Sequence, residues 1–495
     1  MCLKPFVFHS WLIILVNVFV SLNIIFMLPT NYTKAFKAYD IRWLRESEIN
    51  ETFAYILGHA LWEKYSWKSI LIGCDTRPQN PQIIEHLLTG LNQHNIQATI
   101  VNLQPQNPSP TNQLLPYGTA SASTVYQLVP QYDLGIIISA SHNPAWYVGF
   151  KVVQSDLVFI QTSILKEYFE ATLTQLPEAN NYALNTTHQT INTAQLSQAQ
   201  STTQSYFENI KSWLTIAIDY SNGAAVTYEQ EYLSTRAQQN WHILIEMNTG
   251  ADGLFTNHSS DTSENINYQQ LITAVLWDQA DIGILFDGDA DRIGVVTSSW
   301  QIIPGDLVLA IIAQQLWVSE QSMVFDAMCG NSIRRAITAS GNTPVVCKMG
   351  RFFINQRMKQ IGAVLGGEIS WHIMFHDCGD TENVLVAISY LLKAIQEHGS
   401  LDSQVAKLTT NIYREPMLNL HVERKDEILS ALMEHFANLN PQQIDGVNVY
   451  SETMCMTARK SNTEPIIRIQ LETKDKAQYQ QIITEIKKIV EKIET

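Results

Sequence analysis

Strand-length apolar runs dominate the hydrophobic pattern of this chain. Ile70-Leu71-Ile72-Gly73, Ala98-Thr99-Ile100-Val101 and Leu134-Gly135-Ile136-Ile137-Ile138 come first, with a helical stretch at 82–94 between the first two. Strands alternating with helices at this spacing imply βαβ units and a mainly parallel sheet. The rhythm returns at Leu214-Thr215-Ile216-Ala217-Ile218-Asp219, Ile282-Gly283-Ile284-Leu285-Phe286 and Ile293-Gly294-Val295-Val296-Thr297. It returns again with an apolar helix at 307–317 and strands at Ser322-Met323-Val324-Phe325-Asp326 and Ala363-Val364-Leu365. From about residue 412 short strands alternate with helices at 425–438 and 477–491. The pattern predicts an α/β chain in four parts: domain 1 at 30–175, domain 2 at 206–300, domain 3 at 301–411 and an α+β domain 4 at 412–495. Residues 176–205, rich in Gln, Asn, Thr and Ala and almost free of charge, read as a polar linker with a surface helix. A length of 495 residues, too great for one core, agrees with this division.

The segment at 1–29 departs from the pattern. Residues 11–28 are apolar, uncharged and about long enough to span a bilayer. Asn17, Ser21 and Asn23 weaken the span, only Lys4 precedes it, and no Ala-x-Ala cleavage site follows. A membrane anchor, a signal, and upstream sequence ahead of a start at Met27 compete here. The last is preferred, which places the protein in the cytoplasm; membrane attachment is expected only if 11–28 is translated and retained. Charged residues are 16% of the chain, below the usual quarter, and the net charge is −15. That balance argues against nucleic acid, whose binders concentrate Lys and Arg. The six cysteines form no CxxC pair, so neither a zinc site nor a disulfide framework is indicated.

Chemistry-bearing residues cluster at strand ends. Ser139-Ala140-Ser141-His142-Asn143-Pro144 follows the Leu134 run, and Asp287-Gly288-Asp289-Ala290-Asp291-Arg292 follows the Ile282 run. The crevice beyond strand ends is where α/β sheets bind ligands. Ser141 offers a hydroxyl able to carry a phosphoryl group, and Asp287, Asp289 and Asp291 offer hard oxygen ligands for a divalent cation. Alternating positions point all three carboxylates one way if the loop is extended. An EF-hand is rejected because Arg292 and Ser298 stand where its Gly and Glu are required. Alone, the aspartate run is as easily a solvated turn, and the serine run a capping turn.

Two further runs, Gly366-Gly367-Glu368-Ile369-Ser370-Trp371-His372 and Arg459-Lys460-Ser461-Asn462-Thr463-Glu464-Pro465, complete an ordered set of four. With them, from about residue 35 onward, the chain resembles the α-D-phosphohexomutase superfamily and its bacterial phosphomannomutase/phosphoglucomutase branch. Phe36-Lys37-Ala38-Tyr39-Asp40-Ile41-Arg42 and Gly149-Phe150-Lys151 strengthen the likeness. The resemblance implies three similar mixed α/β domains and an α+β lid around a central cleft. It also implies a phosphoserine at Ser141 and Mg2+ held by Ser141, Asp287, Asp289 and Asp291. Sugar hydroxyls would be read by Glu368 and Ser370, and the substrate phosphate gripped by Arg459, Ser461, Asn462, Thr463 and Arg468. Arg42, His142, Lys151, Arg292 and His372 are the remaining catalytic candidates. The implied reaction interconverts mannose (or glucose) 1- and 6-phosphates with a hexose 1,6-bisphosphate activator. The expected partner is a small phosphosugar, and the expected assembly a monomer or small homo-oligomer.

Several positions depart from the resembled pattern. Trp43 replaces Gly, Cys74 replaces Arg, Val148 replaces Asn, and Trp371 replaces Gly in the sugar loop, where an indole could fill ligand space. Met328 stands where relatives put Lys, and Arg351 where they put His. Methionine moves no protons and arginine is a poor base, so each loss could remove ~100-fold of acid–base assistance. Two alternatives to the mutase remain open: a weakened relative that binds phosphosugars or a partner, and a phosphoglucosamine mutase.

Overall fold

The computed structural model describes residues 28–495 except 38–39, 46, 66, 106–114, 177–182, 193–195, 197–200, 209, 211–212, 241 and 462–464. The apolar segment at 11–27 and the candidates Asn462 and Thr463 lie outside the described residues. Among the described residues no helix is long and apolar enough to cross a membrane.

Three sheets repeat one topology that the sequence conceals. In the first, Ser69–Cys74 lies between parallel neighbours Gln97–Val101 and Leu134–Ile138; Tyr147–Gln154 then pairs antiparallel with Leu134–Ile138, and Ile41–Leu44 antiparallel with Tyr147–Gln154. In the second, Thr215–Asp219 lies between parallel Ile243–Met247 and Ile282–Phe286, followed by antiparallel Ile293–Thr297 and Ile302–Ile303. In the third, Ser322–Asp326 lies between parallel Thr343–Cys347 and Leu365–Gly367, followed by antiparallel Ile373–Phe375 and Thr381–Glu382. The expected mainly parallel sheets are therefore mixed. Each third parallel strand turns through a hairpin into an antiparallel partner. Those three hairpins carry the serine loop, the aspartate loop and the sugar loop.

The stretch at 176–205 is not only a linker. Gln189–Ile191 adds a sixth strand to the first sheet, parallel to Gln97–Val101. Its backbone is satisfied by the sheet edge although only Ile191 of the three is buried. The Ala363-Val364-Leu365 strand is shifted, starting instead at Leu365. The C-terminal domain is an antiparallel sheet in the order Tyr413–Arg414, Ile466–Thr473, Met454–Lys460, Val447–Tyr450, backed by Lys425–His435 and Lys476–Glu494. One apolar cluster runs through all three α/β domains, from Leu71 and Val125 through Ile218 and Phe286 to Phe325 and Leu365. The fourth domain packs its own, around Ile428, Val449, Ile469 and Ile486.

Candidate active site

The three hairpins converge on a cavity of about 1330 Å³ that also touches the C-terminal domain. Ser141 is buried and adopts φ +50°, a left-handed conformation that a β-carbon makes costly. Several contacts hold it there. Its N–H donates to Ser139 Oγ at 2.8 Å, and Ser139 Oγ donates to Asp75 Oδ2 at 2.7 Å. The buried Arg77 guanidinium donates to the carbonyls of Ser141 (2.8 Å) and Asn143 (2.7 Å) and pairs with Asp75 at 2.9 Å. Gly288 presses against this loop so closely that a β-carbon there would meet the Ser141 carbonyl at 2.5 Å.

The Ser141 hydroxyl donates to Asp287 Oδ2 at 2.8 Å and accepts from Arg292 Nη2 at 2.7 Å. Residues 146 apart in sequence thus meet in one buried contact. The aspartate loop is not extended, as alternation had suggested. Ala290 turns it at φ +51°, Ala290 N–H donates to Asp287 O at 3.2 Å, and Asp287 Oδ1 accepts from the N–H groups of Asp291 and Arg292. The turn, rather than a strand's alternation, brings the three carboxylates within 4.8 Å of one another.

Charge around the triad is only partly balanced. Lys151 Nζ donates to Asp289 Oδ2 (2.5 Å) and Asp291 Oδ2 (2.6 Å), and Arg351 Nη1 donates to the same Asp291 oxygen at 2.8 Å. Among the described residues, Asp289 Oδ1 and Asp291 Oδ1 are buried without a hydrogen-bond partner. A buried carboxylate oxygen left unsatisfied is costly, so this donor set of hard oxygens fits a divalent cation such as Mg2+. Burial, then the Asp291 charge, pushes Asp287 up to about 7. Burial also pushes Asp291 upward, but Lys151, His372, Arg351 and Arg292 overcome it and hold the carboxyl well below its usual range.

The other candidates take different stations. Arg42 lines the cavity and donates to Asn143 Oδ1 at 2.9 Å while pairing with Asp40. His142 touches Arg292 and stands 3.3 Å from Ser141 Oγ. Burial, then the Arg292 and Arg42 charges, push its imidazole well below its normal pKa, so it is neutral. Glu368 Oε2 accepts from Ser370 Oγ at 3.0 Å, and both face the cavity. Arg459 and Arg468 line the cavity from the C-terminal domain, Arg459 Nε pairing with Asp445 at 3.2 Å. Ser461 is buried and does not line the cavity; its carbonyl accepts from Lys425 at 3.2 Å. Trp371 does not swing freely into the cleft: its indole N–H is tied to the Ile303 carbonyl at 3.0 Å, and its ring forms part of the cavity wall. Met328 is buried in that wall.

Arg77, Tyr126 and Glu382 escaped the sequence reading. Arg77 had a weak signal, an Asp-x-Arg pattern right after a strand. Tyr126, whose hydroxyl accepts from Arg351 Nη1 at 3.0 Å, and Glu382 had none. Glu382, His372 and Asp291 also bring ligand atoms within 4.8 Å of one another. Arg351 already supplies positive charge there, 2.8 Å from Asp291 and 4.0 Å from Glu382, so a second cation is disfavoured.

Known proteins match along nearly the whole chain. Residues 33–175, 196–300 and 304–412 match phosphoglucomutase/phosphomannomutase alpha/beta/alpha domains I, II and III, and 417–489 match the C-terminal domain of that family. A phosphomannomutase of Methanocaldococcus jannaschii is 30% identical over 93% of this chain and 98% of the relative. A phosphomannomutase/phosphoglucomutase of Pseudomonas syringae pv. tomato is 28% identical over 90% of this chain and 93% of its own length. The crystal structure of a phosphoglucomutase/phosphomannomutase family protein from Burkholderia thailandensis shares the fold, with a TM-score of 0.76 at 22% identity over 93% of this chain and 97% of that one.

Proposed function

Because the chain belongs to the phosphoglucomutase/phosphomannomutase family, we propose that it is a phosphohexomutase interconverting mannose (or glucose) 1-phosphate and 6-phosphate through a phosphoserine at Ser141. The observation that carries this reading is the meeting of Ser141 Oγ with Asp287 at 2.8 Å inside the converging carboxylates.

In the forward direction O6 of a hexose 1-phosphate attacks the phosphorus carried by Ser141. The P–O6 bond forms, the P–Oγ bond breaks, and the O6 proton passes to a cleft base. Charge growing on Oγ is met by Arg292 Nη2, 2.7 Å away, before Oγ takes up a proton. The resulting 1,6-bisphosphate turns over in the cleft and returns its 1-phosphate to Oγ. Arg459 and Arg468 hold the phosphate that is not reacting, and Glu368 with Ser370 reads the hydroxyls in either orientation. His142 and His372 are the candidate proton carriers. Lys151 is already committed to Asp289 and Asp291 and acts as a fixed positive charge. Asp287, Asp289, Asp291 and Ser141 Oγ would hold Mg2+, which when bound supplies charge neutralisation at the transferring phosphoryl oxygens.

The test is turnover of mannose 1-phosphate by purified protein with Mg2+ and a hexose 1,6-bisphosphate, beside Ser141→Ala and beside glucosamine 1-phosphate as substrate. The wild type is expected to exceed Ser141→Ala by ~10,000-fold or more. Equal rates would reduce the protein to a phosphosugar binder, the role favoured by Met328 and Arg351. Preference for the amino sugar would make it a phosphoglucosamine mutase.

A further inference from the structure

Glu382 is buried to within 1% and lies on the last, two-residue strand of the third sheet, opposite Met374. Neither carboxylate oxygen has an aligned hydrogen-bond donor among the described residues. Two groups facing the cleft approach it instead. His372 Nδ1 is 2.9 Å from Oε1, close enough for an ion pair but off the line of a hydrogen bond, and Arg351 Nη1 is 4.0 Å away. The other imidazole nitrogen, Nε2, lies toward the sugar loop, 3.9 Å from Glu368 Oε2. A carboxylate buried this deeply is tolerable only beside compensating charge. Its two neighbours belong to the chemistry-bearing wall, which gives the carboxylate a reason beyond packing.

We propose that Glu382 is a positioning residue for the mutase reaction, keeping the His372 proton on Nδ1 and so presenting Nε2 to the sugar hydroxyl beside Glu368. A carboxylate behind one ring nitrogen fixes both tautomer and ring orientation, because the other nitrogen then carries the free lone pair. In the neutral ring Nε2 is left able to take the hydroxyl proton as the P–O6 bond forms and to return it in the reverse step. The same carboxylate counters the Arg351 guanidinium, whose Nη1 is 4.0 Å from Oε1. Among the described residues Arg351 Nη2 is buried without a partner, while Nη1 is held by Asp291 and Tyr126.

This inference rests on the mutase reading, and the experiment separates the two. Full-length wild type, Glu382→Leu, Glu382→Asp and Glu382→Gln are compared in mannose 1-phosphate turnover. Their histidine ¹⁵N spectra are recorded at pH 9, the His372 signal being assigned with His372→Gln. For Glu382→Leu we expect kcat to fall by ~50-fold with KM changed less than about twofold, and the His372 signal to move from the Nδ1–H to the Nε2–H tautomer. Glu382→Asp is expected to keep the Nδ1–H tautomer and to recover about tenfold of the lost rate. Should the leucine variant not fold, Glu382→Gln carries the comparison. Its amide oxygen leaves a neutral acceptor beside Nδ1 in place of the charge, so the tautomer stays while kcat drops by about tenfold. An unchanged tautomer in Glu382→Leu, a loss confined to KM, or an aspartate variant no better than leucine overturns the proposal. So does a glutamine variant with the rate of wild type. A wild type without turnover sinks the mutase reading instead, and the ¹⁵N spectra alone then decide whether Glu382 sets the tautomer.

Discussion

The first three domains and the fourth are held in place by different physics. An apolar cluster passes without interruption through the three α/β domains, and domains 1 and 2 interlock by hydrogen bonds to the aspartate-loop backbone: Ala122 N–H donates to Asp289 O at 2.8 Å, and Ser123 Oγ to Ala290 O at 2.9 Å. The fourth domain keeps a separate core and meets the others largely through polar contacts. Arg414 forks onto Asp306 (2.8 and 3.2 Å) and reaches Glu472 at 3.2 Å, Glu472 accepts from Asn331 N–H at 2.6 Å, and Asp445 accepts from Met349 N–H at 3.2 Å. In the proposed reaction the fused part carries Ser141 and the aspartates, the groups that would have to be rigid to stabilise a transition state. The separately folded part carries Arg459 and Arg468, which line the cavity and are proposed to grip the substrate phosphate. Pre-organised charge is worth most where charge develops, whereas a gripping group needs only to be present once substrate arrives.

If that division is correct, mutations in the two parts should separate into kcat and KM effects. Asp289→Asn should produce the larger loss, about 1,000-fold or more in kcat with KM within about threefold, because it removes one of the oxygen ligands proposed for Mg2+. Isothermal titration with Mg2+ should show weakened binding in the same variant. Normal magnesium affinity with full turnover would detach the aspartates from the chemistry. Arg459→Ala should raise KM for mannose 1-phosphate by about 30-fold while kcat falls less than about fivefold, the charge being lost from ground and transition states alike. A pure kcat loss in Arg459→Ala would erase the distinction between the two parts.

The residues that carry this comparison were unequally legible in the sequence. Ser141, Asp287, Asp289, Asp291, Glu368 and Arg459 were readable because each sits in a short polar run directly after or before an apolar strand, where side chain and backbone signals coincide. The threefold similarity of the α/β domains followed from the family resemblance and holds, but no repeat in the sequence records it. The equivalent hairpins hold Ser-His-Asn, Asp-Gly-Asp and Gly-Glu-Ile, which share position but no chemistry. The shape of the aspartate loop was misjudged because alternation suggests an extended strand, whereas Ala290 adopts φ +51° with no glycine to announce it. Gln189–Ile191 was hidden as polar linker, since an edge strand can expose most of its side chains and still satisfy its backbone. Arg77 and Glu382 meet the site through folded contacts, which no local pattern records.

The smallest expected effect probes the fused junction itself. Glu229, on the helix Tyr228–Asn240 of domain 2, accepts from Ser121 Oγ and from Thr124 Oγ1 (3.0 Å) in domain 1, and its second oxygen is buried without a partner among the described residues. Burial pushes its carboxyl up to about 7, against hydrogen bonds from Ser121 and Thr124 that pull it down. A folded pKa above the unfolded one means that the native state binds more protons between about pH 4.5 and 7, so stability falls as pH rises through that window. The full cost is present above it. Glu229→Gln keeps an acceptor for both hydroxyls and removes the charge, but its amide N–H has no acceptor, which returns part of the gain. A net stabilisation of roughly 1–2 kcal/mol is expected above pH 8, read as a higher melting temperature, and none below about pH 4.5. Melting curves of both proteins at pH 5 and pH 8.5 check this. An offset that is the same at both pH values would mean that the junction carries no buried charge, and that its cohesion is apolar throughout.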